Sequence, residues 1–407
     1  MTDIHLVRQP VFDRADTAVG YELRFRAPEG DDGDPFARSY LSGSFEFVRA
    51  GLPAYVRATR EQLLERIFDA PEADSLVVLL PPDLPAEPEV LEAVADLSKR
   101  GVTVVLDEFE LPRVAGAPIL SYLALANAVR IDLRTQDPAA LAPLVAALKR
   151  QGKRAIADHV LDLKLYQACA TLGFDEFQGP HFSRPEPLPS AELPGSTAAA
   201  LRLLALARNP DTPERDLEQV ISSDPGITFQ LLRIVNSAAL GGRGITSIGH
   251  ALRMVGRTNV VRWLALASAT ARTGKRGTDD ELVRQAVQRA HFCEKLATPQ
   301  TRLDKGTLFL IGLFSLLDAV FRMPMHEVLD RVKLDDDVRA ALLDRTGPFS
   351  GPLLVVESYE LGLWESAADA ASQITFDPAE LPGVYQEAIQ QASEHMPGKS
   401  AAVAKAS

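Results

Sequence analysis

The sequence is short of cysteine, of net positive charge and of long apolar runs, and each shortage removes a class of protein. Only Cys169 and Cys293 occur in 407 residues. They lie too far apart for a metal knuckle and too few for a disulfide framework, so a reducing cytoplasm is the expected compartment. Lys and Arg number 43 against 55 Asp and Glu, a net charge of −12. General nucleic-acid binding needs clustered cations to neutralise phosphates, and this balance argues against it. The longest apolar stretch is Leu308–Leu317, LFLIGLFSLL, broken by Gly312 and Ser315. It falls well short of the roughly 20 residues that span a bilayer and reads as a buried helix. The opening run MTDIHLVRQPVFDRAD has no apolar core ahead of its charges, so no targeting segment is expected. No internal repeat is visible.

What is present is ordinary globular material, 46% hydrophobic and 24% charged. The length suits two or three domains at roughly 100–200 residues each. The first 185 residues alternate strand-like and helix-like segments. Strands are expected at Thr17–Phe25, Leu76–Leu80, Val102–Asp107, Ala128–Ile131 and Arg154–Asp158. Helices are expected at Thr59–Phe68, Glu89–Lys99, Pro138–Gln151 and Leu163–Thr171. Such alternation builds a largely parallel sheet with helices outside it, and ligands then bind at the C-terminal ends of the strands. Asp107, Asp132 and Asp158 all fall at such ends, which suggests one rim. The segment Arg184–Gly195 holds four prolines and a glycine in twelve residues and can sustain neither helix nor central strand. Beyond it the pattern is helical. Segments are expected at Ala198–Arg208, Ser247–Val255, Val260–Ala271, Glu281–Ala297, Thr307–Phe321, Glu327–Leu329, Asp336–Asp344 and Leu353–Leu361. The expected division is therefore 1–186 as an α/β domain, 187–196 as linker, 197–396 as an all-α bundle and 397–407 as a disordered tail.

Several stretches point together to a known arrangement. VRQPVFDRADTAVGYELRFR, VVLDEF, VRID, IADHV and FDEFQGPHFSRP, in that order, resemble the landmarks of an EAL domain. The resemblance implies a (β/α) barrel that hydrolyses cyclic di-GMP with two divalent metals. ISSDPGITFQLLRIVNSAALGG and ITSIGHALRMVG resemble an HDOD domain, a non-catalytic relative of HD phosphohydrolases. LIGLFSLLDAVFRMPMHEVLD and ALLDRTGP are similar to the C-terminal part of fused EAL–HDOD signalling proteins. The fold class implied is α/β plus all-α: a trimmed EAL-like barrel, since 185 residues must build what takes about 250 in a full barrel, then an HDOD bundle.

The resemblance also implies a ligand set, and this chain keeps it unevenly. Two-metal hydrolysis of a phosphodiester needs ions about 3.5–4 Å apart held by many oxygens. Glu22, Asp107, Asp132 and Gln178 match the family's positions. Glu108 and Asp158 stand where the family has Asp and Glu. Arg130 replaces the catalytic lysine, and a guanidinium that stays protonated and forked is no equivalent. Leu79 replaces an Asn ligand and Leu161 a Glu, so two donors are abolished, although Asp162 lies beside the second. A further Glu has no counterpart in the proline-rich run after Leu80. Arg24 stands where the signature has leucine and would compete with metal for Glu22 if it points inward. No catalytic residue and no metal are expected to work here; Glu22, Asp107, Glu108, Arg130, Asp132 and Asp158 are remnants. Mg²⁺ or Mn²⁺ enters only if residual hydrolysis survives. Should the dinucleotide bind without being cut, Arg26, Arg130 and Gln178 are the implied contacts.

In the helical half, Ser315 and Leu316 stand where an HD hydrolase has its His-Asp pair, and His291 and His326 have no acidic partner in ligand spacing. Asp224, Asn236, Ser237 and Gly256 read as capping and interhelical polar residues. Gly241-Gly242-Arg243-Gly244 lacks the Lys-Ser/Thr of a P-loop and follows no strand. Arg253, Arg257, Arg262 and Arg272–Arg276 form a basic patch, either a solvated face or a site for an acidic partner. The reading reached from sequence is a cytoplasmic, non-catalytic signalling protein in a cyclic di-GMP-related pathway. Its partners would be other signalling proteins, met through the HDOD domain or the trimmed barrel face, where lost helices would leave apolar surface. Weak phosphodiesterase action and a receptor role are the alternatives.

Overall fold

Leu76–Leu80, LVVLL, is buried at every position. A strand apolar on both faces belongs inside a parallel sheet covered by helices. In the computed structural model it is the fourth strand of a closed eight-stranded barrel. The structure describes residues 4–27, 33–109, 118–183, 212–213, 215–217, 277–321, 324–330 and 336–395. The linker Arg184–Gly195, the helix expected at Ala198–Arg208, the polar positions Asp224, Asn236, Ser237 and Gly256, the Gly241–Gly244 loop, the basic patch and the tail all lie outside the described residues.

The strands are β1 (His5–Asp13), β2 (Ala18–Arg26), β3 (Ala54–Arg57), β4 (Leu76–Leu80), β5 (Thr103–Leu106), β6 (Ala128–Asp132), β7 (Arg154–Asp158) and β8 (Glu176–Phe177). They pair in chain order and close on themselves. β1 runs antiparallel to both neighbours, and β2 to β8 run parallel. β4 and β7 match the sequence expectation residue for residue. β1, β3 and β8 were not expected. β1 carries Pro10, which argues against a central strand. It is tolerated where β8 pairs only with Phe12 and Asp13.

The outer helices start as their sequences dictate. Asp137 accepts from the amide of Ala139 and Pro138 opens the helix Pro138–Arg150. Thr59 and Gln62 form a reciprocal capping box on Arg60–Leu64. Pro88–Lys99 turns Val90, Ala93, Val94 and Leu97 inward at helical spacing. Inside the barrel, Val11, Tyr55, Val77, Leu79, Val105, Ala128 and Ile156 form one apolar layer.

The chain divides into two compact units, and the division is not a single cut. One unit holds Met1–Pro185 together with Ser358–Trp364 and Ala379–Ser407; the other holds Glu186–Glu357 and Glu365–Pro378. The helix Leu381–His395, which the sequence division leaves in the helical half, thus packs with the barrel, against β1 and the helix Ser44–Arg49. The Tyr385 hydroxyl accepts from the Arg8 amide at 3.4 Å. Its ring lies 4.9 Å from Tyr359, which in turn meets Trp364 at 5.0 Å. The outer side of β1 is therefore covered by the helix Leu381–His395.

In the second unit the described helices are Gly277–Lys295, Lys305–Phe314, Leu317–Phe321, Met325–Leu329, Asp336–Leu343 and Trp364–Gln373, with most of Ser350–Glu360. The apolar run splits at Ser315, whose hydroxyl donates back to the Gly312 carbonyl at 2.8 Å. Gly312 itself is where two helices touch: a Cβ there would lie 2.3 Å from the Arg289 carbonyl oxygen. Gly312→Ala should therefore destabilise this unit by about 1–3 kcal/mol, the usual cost of overpacking. Thermal melting of the full chain measures it, and an unchanged transition would mean the helices do not cross so closely.

Candidate functional site

The barrel's C-terminal mouth is organised around one cation. β6 places Arg130 inward, buried, with Asp107 from the end of β5, Glu22 from β2, Asp158 from β7 and Gln178 after β8 around it. The Arg130 guanidinium donates to Asp107 Oδ1 at 2.6 Å, to Glu22 Oε2 at 2.8 Å and to Gln178 Oε1 at 3.1 Å. Asp158 Oδ2 stands 3.8 Å away. Gln178 also donates to Glu22 Oε2 at 2.7 Å, so its amide closes the ring. Gly179, at φ +148°, holds this corner tight: a Cβ there would lie 2.3 Å from the Val160 nitrogen.

A second tier of basic groups stands at the rim. Arg24 donates to Glu22 Oε1 at 3.2 Å, so it does point toward that carboxylate. Arg57 pairs with Glu108 at 2.7 Å and approaches Asp107 Oδ2 at 3.8 Å. His159 Nδ1 lies 3.1 Å from Asp158 Oδ2. Arg134 grips Asp132 with two nitrogens, the shortest contact 2.6 Å. Each acidic strand end thus has its own rim partner, and three of them face Arg130 as well.

Two backbone features aim these groups. Glu108 and His159 follow Asp107 and Asp158, and both sit at positive φ, 46° and 60°. The preceding aspartate accepts each amide, at 2.8 and 2.7 Å. Left-handed backbone costs a non-glycine residue about 1 kcal/mol, and here it turns Glu108 outward onto Arg57.

The electrostatics follow the packing. Burial alone would push the Glu22 carboxyl up, but Arg130 and then Arg24 outweigh it and hold Glu22 at about 2. Asp107 is raised, because burial outweighs Arg130, and its Oδ2 has no hydrogen-bond partner. Burial also works against the Arg130 charge, but Glu22, Asp107 and Asp158 outweigh it and keep the guanidinium protonated. For Asp132, burial is outweighed by the hydrogen bonds of Arg134, and its carboxyl is lowered.

The divalent pair implied by the resemblance does not fit these residues. The carboxylates that would face it already face a fixed guanidinium. Leu79 is fully buried in the apolar layer beneath. Leu161 is 57% exposed and brings no donor. Asp162, the nearby oxygen, caps the helix Leu163–Leu172 through the Leu165 amide at 2.7 Å. Among the described residues, no group of three or more His, Cys, Asp and Glu side chains is disposed to hold a metal ion.

Above the ring opens a cavity of about 880 Å³, within the range of small-molecule sites. Arg24, Arg57, Arg60 and Arg134 line it. The contacts implied for a dinucleotide are placed differently. Arg130 reaches the cavity but is committed to its carboxylates, Gln178 is buried in the ring, and Arg26 is not among the lining residues. Sequence reasoning missed Arg57, Arg134 and His159. Arg57 shares the inward face of β3 with Tyr55, a signal hidden by the shortness of that strand.

In the helical half, the two residues that the resemblance sets against a His-Asp pair are both buried. Ser315 is buried and accepts from Arg289 at 3.2 Å, and Leu316 is buried beside it. His291 packs edge-on against Phe309, ring centroids 5.3 Å apart, and His326 is exposed.

Comparison with known proteins bears on this half directly, because residues 193–327 match the family model of the HDOD domain. The chain carries an HDOD domain. A closed eight-stranded barrel thus precedes, in the chain, the region that matches the HDOD domain. Two relatives run nearly its full length. Cyclic di-GMP phosphodiesterase CdgJ of Vibrio cholerae is 27% identical, over 96% of this chain and 92% of that protein. The uncharacterized protein YuxH of Bacillus subtilis is 24% identical, over 97% of this chain and all of that protein. Among solved structures, an EAL domain protein from Listeria monocytogenes matches 45% of this chain and 88% of its own, at 17% identity and a TM-score of 0.35. No described helix is long and apolar enough to cross a membrane.

Proposed function

We propose that this chain is a non-catalytic signalling protein of a cyclic di-GMP-related pathway, acting through protein–protein contacts. The observation that carries the reading is the Arg130 guanidinium, paired at 2.6 and 2.8 Å with Asp107 and Glu22. A site that hydrolyses a phosphodiester with two metals must offer those carboxylates to the metals and a general base or nucleophilic water to the phosphorus. Here they are spent on a side chain that cannot give up its proton. The pathway comes from the relative named as a cyclic di-GMP phosphodiesterase and from the resemblance, which implies outputs such as motility or biofilm control. Protein contact is the remaining role for an HDOD domain whose His-Asp place is filled by Ser315 and Leu316.

A second reading, binding of the dinucleotide without hydrolysis, is favoured by the arginine-lined cavity. Its cations would be Arg24, Arg57 and Arg134 rather than the buried Arg130. Titration calorimetry with cyclic di-GMP, with and without Mn²⁺, together with a turnover assay, separates the readings. No hydrolysis is expected with or without the ion. Turnover on the order of 1 per second, an ordinary enzymatic rate, would overturn the proposal. Tight binding that needs no metal would select the receptor role.

A further inference from the structure

The lining of the cavity above the ring is balanced in charge, five arginines against five acids, but it is sorted by depth. Glu22 and Asp158 lie buried with Arg130, while Arg24, Arg57, Arg60 and Arg134 are each about half exposed. The rim arginines differ in what holds them. Arg24 and Arg134 pair with Glu22 and Asp132, whose carboxylates are buried and cannot turn away. Arg57 and Arg60 pair with Glu108 at 2.7 Å and Glu87 at 2.6 Å, and in both pairs acid and base are at least 40% exposed. Exposed pairs of this kind contribute little, so another carboxylate exchanges with them readily. From this we infer that the β3 side of the mouth is a docking groove for an acidic segment of a partner protein, whose carboxylates take the places of Glu108 and Glu87 on Arg57 and Arg60. That occupant rests on the proposed action through protein contacts and gives the contact a place and a chemistry.

Two further features favour a polypeptide. Arg57 ends β3 and Arg60 opens the helix Arg60–Leu64, so the two guanidinium forks stand three residues apart on regular backbone, an arrangement suited to successive carboxylates. The same cavity has an apolar wall: Phe25, Pro35 and Pro85, each half-buried, together with the buried Leu84. An apolar side chain between the acids gains by lying against it. A nucleobase would need hydrogen-bonding groups to read its edge, and the Gln62 side chain in this lining is already spent on Asp34 at 2.7 Å and on the Thr59 amide at 2.9 Å. Asp83 is exposed in the same lining and remains as the opposing charge.

The test uses the full chain, with a displayed library of random peptides as probe. Peptides are selected on wild type and counter-selected on the variant that combines Arg57→Ala with Arg60→Ala. The enriched peptides should carry Asp or Glu close to a bulky apolar side chain. By fluorescence anisotropy, a labelled member of that set should bind the alanine variant at least about tenfold more weakly than wild type, the scale of a lost charge-assisted hydrogen bond. The variant that combines Glu87→Gln with Glu108→Gln keeps both arginines and removes their competitors, so it should bind the same peptide about threefold more tightly or better. That gain of affinity is one that misfolding cannot produce. Failure to enrich any peptide overturns the inference, as do peptides without acidic residues, peptides that bind wild type and the alanine variant alike, and a glutamine variant that binds no more tightly. Cyclic di-GMP binding that depends on Arg57 and Arg60, in a chain that selects no such peptide, overturns it in favour of the receptor role. A chain that neither hydrolyses the dinucleotide nor enriches an acidic peptide would sink this inference and leave the proposed function standing.

Discussion

A chain ended at Pro378 should not yield a soluble barrel, although all eight strands lie within its first 177 residues. The lost helix Leu381–His395 buries Leu381, Tyr385, Ala388, Ile389 and Ala392. Its removal uncovers the outer side of β1, where Leu6, Arg8 and Pro10 are buried, and an uncovered strand face invites aggregation. Tyr385→Ala is the milder form of the experiment. Deleting a buried aromatic ring costs about 3–5 kcal/mol, here with loss of the hydroxyl that meets the Arg8 amide. Urea denaturation should show a clearly lower midpoint. A shortened chain that is soluble and melts cooperatively would show that the helix is an accessory to the barrel and not a part of it.

Acid should destabilise the barrel through Glu22. Its carboxyl is held at about 2 in the folded protein against an ordinary 4.5. A depressed carboxylate contributes its full stability above the unfolded value and loses it as pH falls toward the folded value. The contribution is on the order of 3 kcal/mol, since each tenfold change in proton affinity is worth about 1.4 kcal/mol. Asp107 opposes this, because its raised carboxyl costs stability when charged and that cost fades on acidification. The decisive comparison is therefore between wild type and Glu22→Gln, melted from about pH 6 to about pH 2.5. The variant should start less stable, and the gap should narrow steadily below pH 4.5. Parallel curves would mean that Glu22 carries no depressed charge.

Much of this was legible in the amino-acid order, and the parts that were not share a cause. β4 and β7 declare themselves because their apolar runs end at loop residues or an acid. β1 is masked by Pro10 and β3 by having four residues, Ala54–Arg57. Trp364–Gln373 buries only alanines, Ala367, Ala370 and Ala371, too weak an apolar stripe to stand out. For Leu381–His395 the difficulty is of another kind. Its apolar spacing suits a helix, but periodicity says nothing of which surface a helix will cover. The same limit applies to the site. The acids at strand ends and the arginine in place of lysine can be read directly. That the guanidinium sits at their common centre, and that Arg24, Arg57 and His159 stand behind them, depends on barrel register, where a shift of one residue would turn every side chain about.

The return of the last helix to the first strand sets a clock on biosynthesis. The ribosome finishes β8 some 200 residues before it releases Leu381. At about 5–20 residues per second this is a wait of roughly 10–40 s, during which β1 has no cover. The helical unit emerges in that interval, so the two units mature interleaved and not in succession. Nor can recombination move the barrel to another gene as one uninterrupted stretch of coding sequence.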